Sequence, residues 1–264
     1  AARNRVLARA VSFHMIDADE ATAALRERVP GLRKPFPAYA PHLADRARAE
    51  DPVAGEHHLT LDLSLQKKLE ALAKEAVQGR GDQMQVAIVV ADHRSGEILA
   101  SVGSAGFTDN KRQGFVDMTT ALRSPGSTLK PLVYGLAFDE GLAHPETMID
   151  DRPTVFGTYA PQNFDQLYMG TIRVREALQM SRNIPVVMLT EALGPAKLLS
   201  AMGKAGMKYD LPGGQPGLAI SLGGIGVTLQ DMVQLYAAIA RGGVALPLTW
   251  RMDGDQPEGH RLIS

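Results

Sequence analysis

Apolar positions recur every 3.6 residues from the start of the chain. Val6, Leu7, Ala10, Val11 and Met15 fall on one helical face. Asp17 interrupts this stripe, and Glu20 three residues later completes the signature of a capped helix start. Ala21, Ala24 and Leu25 then share a second face. Residues 3–28 are therefore expected to form a two-helix hairpin that packs on something else. Pro30, Pro35, Pro37, Pro41 and Pro52 follow within residues 29–58. Proline lacks a backbone donor and fixes φ, so this stretch is expected to be an extended linker without helix or sheet interior.

The periodic pattern returns at Leu59. His58–Leu61 alternates as a short strand, and Asp62–Gln78 is a helix with Leu65, Leu69, Leu72, Ala73 and Ala76 on its apolar side. Val86–Ala91 is a continuous apolar run, Asp92–Gly96 a turn, and Glu97–Gly103 a returning strand, together a hairpin signal. Ser127–Phe138 is apolar nearly all round, which predicts a buried helix. A polar, proline-containing stretch covers 139–170. Helices are expected at 171–180, 184–193 and 195–205, and at 229–240, where Thr228 and Asp231 form a cap. Val244–Trp250 is expected to be a strand.

Composition narrows the function classes. The chain has 264 residues, a net charge of −1 and no cysteine. Near-neutral charge speaks against a nucleic-acid binder. Without cysteine there is no disulfide, no thiolate nucleophile and no Cys-based zinc site. The seven histidines form no metal-ligand spacing, so no metal and no cofactor is expected. The longest apolar runs, such as Val86–Ala91, are about a third of the roughly 20 residues needed to span a bilayer. The chain begins without Met and stops at Leu262-Ile263-Ser264. It reads as an excerpt of a longer protein.

Two patterns carry nucleophile chemistry. Ser-x-x-Lys at a helix start sets a hydroxyl one turn from an amine, and a buried, neutral amine can take the hydroxyl proton. The pattern occurs twice. Ser64-Leu65-Gln66-Lys67 sits in an amphipathic surface helix and is read as a solvated face. Ser127-Thr128-Leu129-Lys130 follows the turn Ser124-Pro125-Gly126 and opens the apolar helix, so Lys130 is committed to burial. The second pattern is Ser181-Arg182-Asn183, between two helices. There a hydroxyl can relay a proton and an amide can fix both a lysine and a substrate amide. On its own this triplet reads more readily as an ordinary serine helix cap.

Together these segments resemble the active-site serine penicillin-recognising enzymes, whose motifs are Ser-x-x-Lys, Ser-Asp-Asn and Lys-Thr/Ser-Gly. Arg123-Ser124-Pro125-Gly126-Ser127-Thr128-Leu129-Lys130-Pro131 resembles the nucleophile segment of bifunctional (class A) penicillin-binding proteins. Thr60–Gln66 resembles the opening of their transpeptidase domain, and Leu222–Thr228 a later part of it. Pro41-His42-Leu43-Ala44-Asp45 resembles one branch of that family, and residues 3–28 the last helices of its glycosyltransferase domain. The middle motif has Arg182 where others carry Asp. The third motif is missing: Lys204-Ala205-Gly206 is the nearest match, but it ends a predicted helix and is rejected.

The resemblance implies an α+β fold, the transpeptidase or serine β-lactamase type with an antiparallel sheet and helices, truncated at its C-terminus. It divides the chain into glycosyltransferase helices (1–28), a Pro-rich linker (29–58) and the N-terminal portion of a transpeptidase domain (59–264). It implies a D,D-transpeptidase on the periplasmic face of the inner membrane, anchored by a missing N-terminal part. Ser127 would be the nucleophile, Lys130 its base, Ser181 the proton relay and Asn183 the orienting amide, with Ser127 and Asn183 also binding substrate. Peptidoglycan stem peptides on lipid II-derived glycan strands, β-lactams and other cell-wall synthesis proteins are the implied partners. A non-catalytic scaffold and a β-lactamase-like hydrolase are the alternatives. The family sheet has five strands, three of them after Asn183, so the hairpin 85–103 is expected to keep an open edge. Residues 1–264 alone are expected to be poorly stable and scarcely acylated.

Overall fold

The computed structural model describes residues 2–27, 36–252 and 258–264. Two compact units are distinguished, Ala1–Ala38 and Tyr39–Ser264. In the first, α1 (Ala2–Ser12) and α2 (Ala18–Arg26) form the expected hairpin. Asp17 accepts the Glu20 N–H and the Glu20 carboxylate accepts the Asp17 N–H, which is the reciprocal cap read from the sequence. Arg3 ties the open end by donating to the carbonyls of Leu25 (3.1 Å) and Glu27 (2.7 Å).

The second unit begins inside the stretch expected to be linker. Residues 29–35 of that stretch lie outside the described residues, but Pro41–Glu50 is a helix, α3, and not extended chain. Pro41 stands in its first turn, where a missing N–H costs nothing, so proline starts this helix rather than breaking it. Leu43 and Ala47 are each 1% exposed. The His42 ring lies edge-on to Phe107 at 4.9 Å, with Nε2 2.8 Å from the Gly114 carbonyl oxygen.

Helix α4 (Leu63–Ala76) is capped by Asp62, which accepts the Leu65 N–H at 2.9 Å. It packs on a hairpin of β1 (Ile88–Ala91) and β2 (Ile98–Val102). Its buried Gln66 exchanges two hydrogen bonds with the Ser101 backbone, at 2.8 and 2.9 Å. The strand expected at His58–Leu61 is reduced to one bridge, Leu59 to Arg251. The strand expected at Val244–Trp250 is broken at Pro247. Val244–Ala245 (β7) pairs with His260–Arg261 (β8), while Thr249 joins the β2 side, accepting the Ile98 N–H at 2.7 Å. Among the described residues β1 pairs with β2 alone. The expected open edge is therefore present, and the ladders are two-stranded.

The helices form the core. A 3-10 turn (Gly126–Leu129) runs directly into α5 (Lys130–Asp139). β3 (Met148–Asp151) and β4 (Gly170–Arg173) make a second ladder, followed by α6 (Val174–Gln179), α7 (Asn183–Leu193) and α8 (Pro195–Lys204). The helix expected from 171 therefore starts three residues later, because 170–173 are strand. β5 (Tyr209–Asp210) and β6 (Gly226–Val227) precede α9 (Leu229–Ala240), which carries the predicted Thr228–Asp231 cap. Leu132, Val133, Val186, Val187, Met202 and Leu235 meet at its centre, each at most 1% exposed.

Candidate active site

The turn Ser124-Pro125-Gly126 aims the first candidate residue. Gly126 has φ +52°, in the region where side chains are strained. The Ser124 hydroxyl donates to the Gly223 carbonyl at 2.6 Å and accepts the Gly126 N–H at 3.3 Å. Gly223, at φ +91°, lies so close that a Cβ there would meet the Gly126 backbone nitrogen and stand 2.6 Å from Ser124 Oγ. From the other side the Tyr236 hydroxyl donates to the Thr128 carbonyl at 2.9 Å. The 124–128 turn is thus clamped by the 222–224 loop and by α9.

Ser127 and Lys130 are not on one α-helix, as the periodicity predicts. Ser127 belongs to the 3-10 turn and Lys130 opens α5. Three residues per turn place positions i and i+3 directly above one another, so the juxtaposition survives this correction. Ser127 is exposed, and neither its hydroxyl nor its N–H has a protein partner among the described residues. It opens onto a cavity of about 460 Å³ that Asn163, Phe164, Ser181, Asn183 and Leu222 also line.

Lys130 is 1% exposed. Its Nζ donates to the Ser181 carbonyl (2.6 Å), the Ser181 hydroxyl (3.1 Å), the Arg182 carbonyl (3.1 Å) and Asn183 Oδ1 (2.7 Å). The two motifs, separated in sequence, therefore close on each other through this amine. Burial, followed by the neighbouring Arg182 charge, lowers the Lys130 pKa to about 8. The four acceptors work the other way, since three ammonium hydrogens serve them better than two amine hydrogens.

The Ser181–Asn183 loop has its own supports. Ser181 takes a left-handed φ of +54°, and Arg182 rather than Ser181 occupies the position before α7. The serine hydroxyl is therefore not spent on a helix cap. The Asn183 N–H donates to Asn163 Oδ1 at 2.8 Å, and its Nδ2 to the Gln162 carbonyl at 2.7 Å. Sequence reasoning missed Asn163, Asp151, Asp165 and Gly223. Asn163 is one of only four asparagines, the same rarity that marked Asn183. The rejected lysines stay apart from the site: Lys67 lies over the Tyr39 ring at 5.0 Å, and Lys204 is exposed at the end of α8.

Comparison with known proteins places the chain in a family. The family described as penicillin binding protein transpeptidase domain matches residues 86–255. Penicillin-binding protein 1C of Escherichia coli (strain K12) is 38% identical over 97% of this chain and 33% of its own length. Penicillin-binding protein 1F of Bacillus subtilis (strain 168) is 28% identical over 79% of this chain and 30% of its own. The chain thus spans about a third of the length of these relatives. The structure of PonA1 from Mycobacterium tuberculosis in complex with penicillin V superposes with a TM-score of 0.71 at 22% identity, covering 85% of this chain and 67% of that one. This likeness concerns the fold. With the family matched across most of the second unit, the chain belongs to the penicillin-binding protein transpeptidases.

Proposed function

We propose that Ser127 is the nucleophile of a D,D-transpeptidase that cross-links peptidoglycan through an acyl-serine. The observation that carries this is the buried Lys130 amine, held by Ser181 and Asn183, which line the cavity that Ser127 opens onto. Ser127 Oγ attacks the penultimate D-Ala carbonyl of a stem peptide, and Lys130 in its neutral form takes the hydroxyl proton. At a pKa of about 8, about one-tenth of the lysines are neutral at pH 7. On losing its proton the amine gives up one acceptor and gains a lone pair to offer Ser127. The Ser127 N–H, unpartnered at the start of the 3-10 turn, faces the developing oxyanion. The C–N bond then breaks, and the leaving D-Ala amine takes a proton through the Ser181 hydroxyl. An amine of a neighbouring stem peptide attacks the ester, forms the cross-link and frees Ser127. A β-lactam acylates Ser127 by the same first step.

The longer protein is read as a bifunctional glycosyltransferase and transpeptidase at the periplasmic face of the bacterial inner membrane. It would act on lipid II-derived glycan strands beside other cell-wall synthesis proteins. Hydrolysis as the main activity lacks a base: Asp165, the one carboxylate among the described residues lining the cavity, is bound to Arg182 at 2.9 Å. The test uses a chromogenic β-lactam and the protein extended to the length of its relatives. A single stoichiometric burst without turnover, lost in Ser127→Ala, is expected. Sustained turnover would make it a hydrolase, and no burst would leave a scaffold.

A further inference from the structure

The mid-position of the second motif has a role that the reaction alone does not require. The Arg182 side chain is 7% exposed and is held in a ring of polar groups. Its Nε donates to Asp151 Oδ2 at 2.8 Å, its Nη1 to Asp165 Oδ2 at 2.9 Å, and its Nη2 to the Leu167 carbonyl. Asp151 is completely buried at the end of β3. Its Oδ1 accepts Asn163 Nδ2 at 2.7 Å and its Oδ2 also accepts the Met169 N–H at 3.0 Å. Asn163 in turn accepts the Asn183 N–H. A closed circuit therefore runs from Asp151 to Arg182 along the backbone to Asn183 and back through Asn163. At its apex is Ser181, held in a left-handed conformation unfavourable for a serine.

We propose that Arg182 is a positioning residue for Lys130. Pinned by Asp151 and Asp165, its side chain fixes the 181–183 turn so that Ser181, Arg182 and Asn183 present their acceptors to the amine. None of the hydrogen bonds of Lys130 goes to a carboxylate. The charged and titratable groups facing it are Arg182 from the loop, Asp151 from β3, Asp165 beyond Arg182, and Tyr134 one turn along α5. The Tyr134 hydroxyl is buried without a hydrogen-bond partner among the described residues, and burial, then Asp151, raises its pKa, so it stays neutral. Of these charges Arg182 is the one that acts on Lys130, and the two aspartates are bound to Arg182. Arg182 also contributes to the lowered pKa of Lys130.

The inference rests on Lys130 serving Ser127, and the experiment separates the two. Lysine labelled with 13C at Cε is followed by NMR titration, the Lys130 signal being assigned by its loss in Lys130→Arg. Arg182→Gln is expected to raise the Lys130 pKa by about one unit, and Arg182→Lys to leave it within a few tenths of wild type. Asp151→Asn and Asp165→Asn are expected to lower it, because each removes an anion and leaves Arg182 less balanced. Opposite signs distinguish this role from simple loosening, which would hydrate Lys130 and raise its pKa in every variant. If Arg182→Gln loses its native circular dichroism, the exposed-side Asp165→Asn decides: a fall supports the proposal. A common direction in all variants, an unmoved Asp165→Asn, or failure of Lys at 182 to restore the value overturns it. Parallel adduct mass measurements then report on the transpeptidase reading. Opposite shifts without a Ser127 adduct keep the Arg182 role and remove that reading. An adduct with shifts of one sign does the reverse.

Discussion

Lys130 concentrates the chemistry into one atom. Its burial and the Arg182 charge favour the neutral amine, whereas the four acceptors favour the cation. With a pKa of about 8, acylation is expected to rise with pH through the neutral range and to level off above pH 8, as the base becomes fully available. Second-order acylation rates between pH 6 and 9.5 measure this. A flat profile would mean that Lys130 does not act as the base. Stability carries the same sign. The unfolded lysine keeps its proton to about pH 10.5, so between about 8 and 10.5 the unfolded state binds more protons and the folded state gains with rising pH. Of the four residues named from the two motifs, Lys130 is hydrogen-bonded to Ser181 and Asn183, and Ser127 lines one cavity with Ser181 and Asn183. The spacing of a Ser-x-x-Lys is a local property, and the rarity of Asn183 marked its partner. Asp151 and Asn163 escaped because their role exists only once β3 and the 162–167 loop fold against Arg182.

Each element that was misread has a local cause. β3 is Met-Ile-Asp-Asp, polar and short, with burial confined to its last residue, so neither periodicity nor propensity separates it from loop. α3 was hidden by prolines read as breakers, although Pro41 is at the one helical position that tolerates it. The long helices α4 and α9 were legible because apolar period and capping residue agree. The 222–224 loop shows what the sequence withheld about the site. Its glycines carry no chemistry, yet Gly223 lies against the turn that aims Ser127. Gly223→Ala adds a methyl group into that backbone at a positive φ. It is expected to cost about 1–3 kcal/mol in stability and to slow acylation even where the protein remains folded. Thermal melts combined with acylation rates on the folded fraction check this. Unchanged rates would show that the loop does not position Ser127.

At the scale of the molecule, a helical core supports ladders that are two-stranded among the described residues. The β1 edge is open among the described residues. Beside it an apolar groove of about 710 Å³ runs between Val89 and Val90 on one wall and Met232, Val233 and Tyr236 of α9 on the other. An open strand edge next to apolar surface invites pairing with another chain. The 264-residue chain is accordingly expected to associate as its concentration rises, and sedimentation velocity showing a monomer throughout would refute this. The fold class followed from the family resemblance that the two motifs and their flanking segments carry. The openness of the sheet followed only from the family resemblance, since no local signal reports a missing neighbour. The central claim is that Ser127, served by Lys130, takes the acyl group. Site-resolved mass spectrometry of the penicillin-treated protein, extended to the length of its relatives, tests it most directly. A penicilloyl adduct on the peptide containing Ser127, absent in Ser127→Ala and strongly reduced in Lys130→Met, is the expected result. An adduct on Ser64, Ser124 or Ser181, or one that persists in Ser127→Ala, would contradict it.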